Sequence, residues 1–115
     1  MKYLCLIYDD EASWPKMSKA EGDAMMGEYL QFTQDIRASG HYIGGEPLQP
    51  THTATTIRIR NGKMSTTDGP FAETKEQLGG YYLIDAKDLN DAAQVAARIP
   101  AARTGSVEVR PIMAM

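Results

Sequence analysis

Long apolar runs, cysteine, histidine and an excess of either charge are all scarce in this sequence, and each shortage narrows what the chain can be. The longest apolar run near the start, Tyr3 to Tyr8, is far too short for a membrane span and leads straight into Asp9-Asp10-Glu11. A cytoplasmic protein without a membrane partner is the expectation. Cys5 is the single cysteine, so no intrachain disulfide can form, and its place inside an apolar run reads as a packed thiol. Lys and Arg number 12 against 15 Asp and Glu, a net charge of −3 with the basic residues scattered, which leaves no electrostatic footprint for nucleic acid. The two histidines, His41 and His52, stand in no metal-ligand spacing, and no Gly-rich phosphate loop precedes a helix. Neither a metal nor a cofactor is expected.

What the chain does contain is a regular succession of elements, at a length of 115 residues that fits one domain over 1–115. Lys2 to Tyr8 reads as a central strand, and Asp9 to Met17 as a connection in which Trp14 caps the core or lines a cleft. Ser18-Lys19-Ala20-Glu21 matches a capping box that starts a helix over 19–38, roughly 30 Å long at 1.5 Å per residue. Met25, Tyr29, Phe32 and Ile36 form its apolar stripe, and Ser39-Gly40 stops it. Tyr42 to Leu48 reads as a short strand and Gln49 to His52 as a loop. Leu78 to Ile84 is a further strand, in which Gly79-Gly80 permits a bulge or a close backbone approach. Asp88 caps a second helix, Leu89 to Arg98, with Leu89, Ala93, Ala96 and Ile99 as its stripe. The last strand runs from Val107 to Ile112.

Thr55 to Arg60 alternates cleanly and ends in Asn61-Gly62, the strongest two-residue hairpin signal, because both central positions of a type I′ turn need positive φ. The turn sets the register: Arg60 opposes Lys63, Ile59 opposes Met64, Arg58 opposes Ser65, Ile57 opposes Thr66, Thr56 opposes Thr67, and Asp68 lies beside Thr55. Pro70 then breaks the ladder. This order of elements predicts an α+β fold, a ferredoxin-like two-layer sandwich with helices on one face of an antiparallel sheet. The open face should carry apolar residues from the first strand, the hairpin and the 78–84 strand. A homodimer with two sheets back to back would bury it.

Tyr3-Leu4-Cys5-Leu6-Ile7-Tyr8, Gly44-Gly45-Glu46-Pro47-Leu48, Thr67-Asp68-Gly69-Pro70-Phe71-Ala72-Glu73-Thr74-Lys75-Glu76, Gly79-Gly80-Tyr81-Tyr82 and Gly105 to Pro111 resemble the DGPF-domain branch of the YCII-related proteins, essentially end to end. The resemblance implies the dimeric α+β barrel fold, in a group that includes small-molecule monooxygenases and a lactone isomerase. It also implies an association with extracytoplasmic-function sigma factors, and it carries no assigned reaction. A His-Asp pair is the suspected acid/base unit of YCII-type relatives. The aspartate falls on Asp68, whereas neither His41 nor His52 stands in a matching motif.

Asp68 is the leading candidate for a catalytic group. At a strand end beside Phe71 it could be partly desolvated and so suited to proton abstraction. Alternatively it accepts backbone amides in an Asx-turn around Gly69-Pro70. Glu46, Phe71, Glu73, Lys75 and Tyr82 are candidate ligand-binding residues. Lys75 and Glu76 also fit a solvated turn, and carboxylates converging on Asp68 would favour a shared proton or a bound cation. Tyr81 and Tyr82 must leave opposite faces of their strand. Two readings result. One is a protein or cofactor-independent enzyme that takes a small organic molecule in an acidic cleft centred on the motif. The other is a non-catalytic module for a regulatory protein partner.

Overall fold

The computed structural model describes residues 1–115. Six strands and two α-helices follow one another along the chain: β1 (Lys2–Asp9), α1 (Lys19–Ala38), β2 (Tyr42–Pro47), β3 (Thr55–Arg60), β4 (Lys63–Asp68), β5 (Gln77–Asp85), α2 (Leu89–Ala96) and β6 (Ser106–Pro111). Short 3-10 turns span Glu11–Lys16, Thr51–Thr53 and Pro100–Arg103. The main sheet has the order β2-β5-β1-β6 and is antiparallel throughout. Both helices lie on one of its faces, and the sheet is open at β2 and β6, a ferredoxin-like α+β arrangement. No helix is long and apolar enough to cross a membrane.

Local chemistry accounts for the helix boundaries. The Ser18 side chain accepts from the Glu21 N–H at 3.1 Å, while the Glu21 carboxylate accepts from the Ser18 N–H at 3.0 Å, so two free donors at the start of α1 are satisfied reciprocally. Ser39 caps the far end. Asp88 accepts from the Asp91 N–H at 2.9 Å and begins α2.

The core lies between the sheet and the helices. Alternation along β1 sends Tyr3, Cys5 and Ile7 under the helices, where they meet Tyr82 and Ile84 of β5, Phe32 and Ile36 of α1, and Val95 and Ile99 from the α2 region. Burial pushes the Cys5 thiol up to about 11, which keeps it protonated and a poor nucleophile. The alternate residues Leu4, Leu6, Tyr81 and Leu83 leave the other face half-buried. The first strand is central, as its apolar run suggests, yet only one of its faces is covered by the chain itself.

The hairpin carries the expected register at every one of its pairs, with Asn61 at φ 52° and Gly62 at φ 73°. Its position differs from the sequence expectation. β3 and β4 form a two-stranded sheet of their own and do not extend the main one. Nothing local decides where a correctly formed hairpin docks. Because the hairpin stands off, the radius of gyration is 16.1 Å, against about 13 Å for a compact chain of this length. The stripe of α2 differs in part: Ala96 and Ile99 are buried as expected, Ile99 beyond the helix end, but Ala92 and Val95 are buried where Leu89 and Ala93 are exposed. One turn in from the cap, the small residues at 92 and 96 let the helix approach the sheet more closely than Leu89 could.

Candidate functional site

A cavity of about 490 Å³ opens between the N-terminal half of α1 and the β2–β5 side of the sheet. Its position follows from how three segments are held. The 3-10 turn after β1 is fixed by Asp10, which accepts from the Ala12 N–H at 3.0 Å and brings Trp14 over β5. There the indole lies against Gly79, so that a Cβ on Gly79 would stand 3.6 Å from the ring. Gly79 is the extra residue where the β1–β5 register shifts, and the bulge aims the floor of the cavity. On β2, a Cβ at Gly45 would come within 2.7 Å of the Tyr81 carbonyl and 2.9 Å of the Tyr82 ring. Only glycine lets the edge strand close on Tyr82 at that point.

The walls are apolar, with Met17, Met25, Met26, Leu30 and Leu48 facing Trp14 and the two strands. Polar groups are few. Tyr82 packs edge-on against Phe32 at 5.1 Å between ring centres, and its hydroxyl meets Thr33 Oγ1 at 2.8 Å. The Thr33 hydroxyl proton is committed to the Tyr29 carbonyl at 2.9 Å, so Tyr82 is the donor in that pair. Its oxygen therefore retains lone pairs that can accept a hydrogen bond from a ligand. Burial raises the pKa of both Tyr82 and Tyr29, which keeps the two phenols neutral.

The residues singled out from sequence are distributed over two regions. Tyr82 lines the cavity. Glu46 lies on its rim, but it follows Gly45 and pairs with Tyr81, so alternation turns its side chain toward the opposite face of the sheet. Asp68, Phe71, Glu73 and Lys75 are not part of the cavity wall, and all four are exposed, Phe71 at 81%. Within one chain they make no enclosed acidic cleft. Asp68 ends β4 opposite Thr55, with no hydrogen bond or ion pair to its carboxylate. The turn around it is closed by backbone: the Gly69 N–H donates to the Ala54 carbonyl at 2.7 Å, and the Thr56 hydroxyl donates to the Gly69 carbonyl at 2.8 Å.

The second half of the motif anchors the body. The Gln77 side chain donates to the Thr74 carbonyl and accepts from the Glu11 N–H, and Glu76 accepts from the Ser106 hydroxyl at 2.8 Å. No group of three or more His, Cys, Asp or Glu side chains is placed to hold a metal ion.

The histidine that finds an aspartate does so elsewhere. His41 Nε2 lies 3.1 Å from Asp91 Oδ2, and Ser39 Oγ lies 2.7 Å from His41 Nδ1. This string joins the end of α1 to the first turn of α2, across 50 residues, a separation with no signature in the sequence. The Lys87 N–H donates to Asp91 Oδ2 at 3.0 Å and holds the carboxyl below its ordinary range, with His41 adding to the effect against a partial opposition from burial. A depressed folded pKa stabilises the fold above the unfolded carboxyl value near 4, and that contribution is lost as pH falls through the lower folded value. Asp91→Asn is therefore expected to flatten the acid side of the stability curve in urea unfolding between about pH 6 and pH 2. Parallel curves for the two proteins would contradict the assignment.

Sequence comparison places this geometry in a family. The family model described as the YCII-related domain matches residues 1–115. The chain belongs to the YCII-related family. An uncharacterized protein of Rhizobium meliloti (strain 1021) is 40% identical over 114 residues, covering 97% of this chain and 92% of the relative. That similarity extends the YCII-related fold to a second chain of nearly equal length and attaches no reaction to it. Cavity-lining residues such as Met26 and Leu30 carry no motif, and only their spacing along α1 signals a shared wall.

Proposed function

We propose that this YCII-related protein binds a small, predominantly apolar organic molecule in the cavity between α1 and the sheet. The observation that carries the reading is the cavity itself. Its volume of about 490 Å³ lies within the range of small-molecule sites, and an apolar wall with a few directed hydroxyls is their usual composition. Tyr82 supplies an acceptor that can orient the ligand.

A homodimer is part of the same proposal. The open sheet face presents Leu4, Leu6, Tyr81 and Leu83, and the hairpin presents Ile57 and Ile59 at 60% exposure with Met64 at 67%. A lone two-stranded hairpin is marginal in water, so apolar partners are needed to hold it. Its three basic residues against one acidic give +2 within a chain of net −3, which leaves −5 on the remainder, so a second copy offers the complementary charge. Asp68, on the same hairpin face as Ile57 and Ile59, would meet a reacting molecule only across such an interface. The alternative, a regulatory or interaction module, draws on the same exposed hairpin.

A crystal structure of protein taken straight from cells tests the reading. Organic density between Trp14 and Tyr82 is the expected result. An empty cavity, with any bound molecule at Asp68 instead, would overturn it and favour the motif-centred site.

A further inference from the structure

Charged side chains on the cavity wall are few and all acidic. None of the residues lining it is Lys, Arg or His, although 12 of the 115 residues are Lys or Arg. Of the two carboxylates on the wall, Asp9 and Glu46, the one directed to the helix side of the sheet is Asp9, at the end of β1. Asp9 Oδ1 accepts from the Asp10 N–H at 2.9 Å, and Oδ2 accepts from the Thr104 hydroxyl at 2.9 Å. The carboxyl group is thus held in place by two neutral donors. Two cations close to lining residues are engaged by other groups. The Arg103 guanidinium, whose charge reaches Tyr29, is bound to the Glu28 carboxylate, and Arg37 is stacked 4.2 Å from the centre of the Tyr42 ring. An anionic group entering between the methionines would give up hydration and meet the Asp9 carboxylate, with no Lys, Arg or His side chain on the wall to offset it.

Gly22 adds a second observation. It lines the cavity from inside α1, and nothing lies within 4 Å of the position a Cβ would take. Glycine weakens a helix interior relative to alanine, so no packing within the chain calls for it there. Its missing side chain leaves the entrance beside Met25 and Met26 open.

We propose that the site takes uncharged apolar molecules and rejects anionic ones, carboxylates and sulfonates included, with Gly22 as the residue that keeps the entrance wide. This rests on the cavity reading above, and the test separates the two. N-phenyl-1-naphthylamine and 8-anilino-1-naphthalenesulfonate share one aromatic skeleton and differ by one sulfonate. Titrated by fluorescence against the intact protein, the neutral probe is expected to bind at least about tenfold more tightly. Gly22→Leu is expected to weaken the neutral probe by a similar factor while the melting temperature holds or rises, since leucine is the better helix former. Equal or tighter binding of the sulfonate would overturn the charge selection and leave the cavity reading standing. Failure of both probes to bind would overturn the cavity reading and this inference with it, whereas a neutral probe that binds but is indifferent to Gly22→Leu would overturn the role of Gly22.

Discussion

Gly105→Ala is expected to lower the melting temperature by roughly 10 °C, following from an overpacking cost of about 3 kcal/mol. A Cβ at position 105 would lie 2.1 Å from the Tyr8 carbonyl oxygen and 3.0 Å from the Asp9 Cα. Both are backbone atoms of β1, the strand paired on each side in the sheet, so no flexible side chain is available to move aside. Gly105 has no positive φ, and the constraint is space alone. The Gly105 N–H also donates to the Ala101 carbonyl at 2.7 Å, tying the turn that would have to shift. Gly27→Ala is the matched control: nothing lies within 4 Å of its would-be Cβ, and alanine there should add about 1 kcal/mol of stability. Thermal unfolding followed by circular dichroism reads both variants. A change at position 105 no larger than that at position 27 would mean that the β1 crossing is looser than its geometry indicates.

Tyr82→Ala should cost about 3–5 kcal/mol, the range for deleting a buried aromatic ring, whereas Tyr82→Phe should cost about 1 kcal/mol. The ring contacts Phe32 edge-on at 5.1 Å and Tyr42 at 6.4 Å, so removing it empties the space between α1 and the β2–β5 pair. The hydroxyl alone is a lesser loss, because Thr33 keeps its bond to the Tyr29 carbonyl when its Tyr82 donor is gone. Midpoints in urea, at constant slope, would report the two costs. The pair separates the residue's two jobs. Phenylalanine keeps the wall and removes the acceptor; alanine removes both and enlarges the cavity. If the two variants were equally destabilised, the hydroxyl and not the ring would carry the packing at this point.

The fold was legible wherever one residue type has one local solution. Asn61-Gly62 set six cross-strand pairs because a type I′ turn has a single register, and Ser18 with Glu21 set the start of α1 to the residue. The glycines at 79 and 80 signalled the bulge that now floors the cavity. What was not legible depends on contacts between distant segments. Apolarity favours Leu89 as the start of the α2 stripe, and Ala96 and Ile99 do face the core, but Ala92 and Val95 are buried in place of Leu89 and Ala93. The hairpin's strands are legible in the sequence and its place is not, since its pairing is local and its docking is not. The candidate site divides in the same way. Tyr82 could be found from its strand and its neighbour Tyr81, which must face away. Met25 reads as an ordinary helix-stripe residue, Leu30 lies outside that stripe, and Trp14 fits a core cap as well as a cleft wall. The His41–Asp91 contact had no sequence signal at all.

The strand order β2-β5-β1-β6 also has a consequence for how the protein is made. β1 leaves the ribosome before every other strand, yet its two hydrogen-bonding neighbours begin at Gln77 and Ser106. Until those segments appear, the nascent chain holds an unpaired apolar strand, with only α1 and a self-contained hairpin able to form behind it. Assembly of the sheet is then a late, long-range event that closes on the oldest segment, and chains of such high contact order fold slowly. The interval before closure is when Leu4, Leu6 and Cys5 are most open to a chaperone or to another unfinished chain.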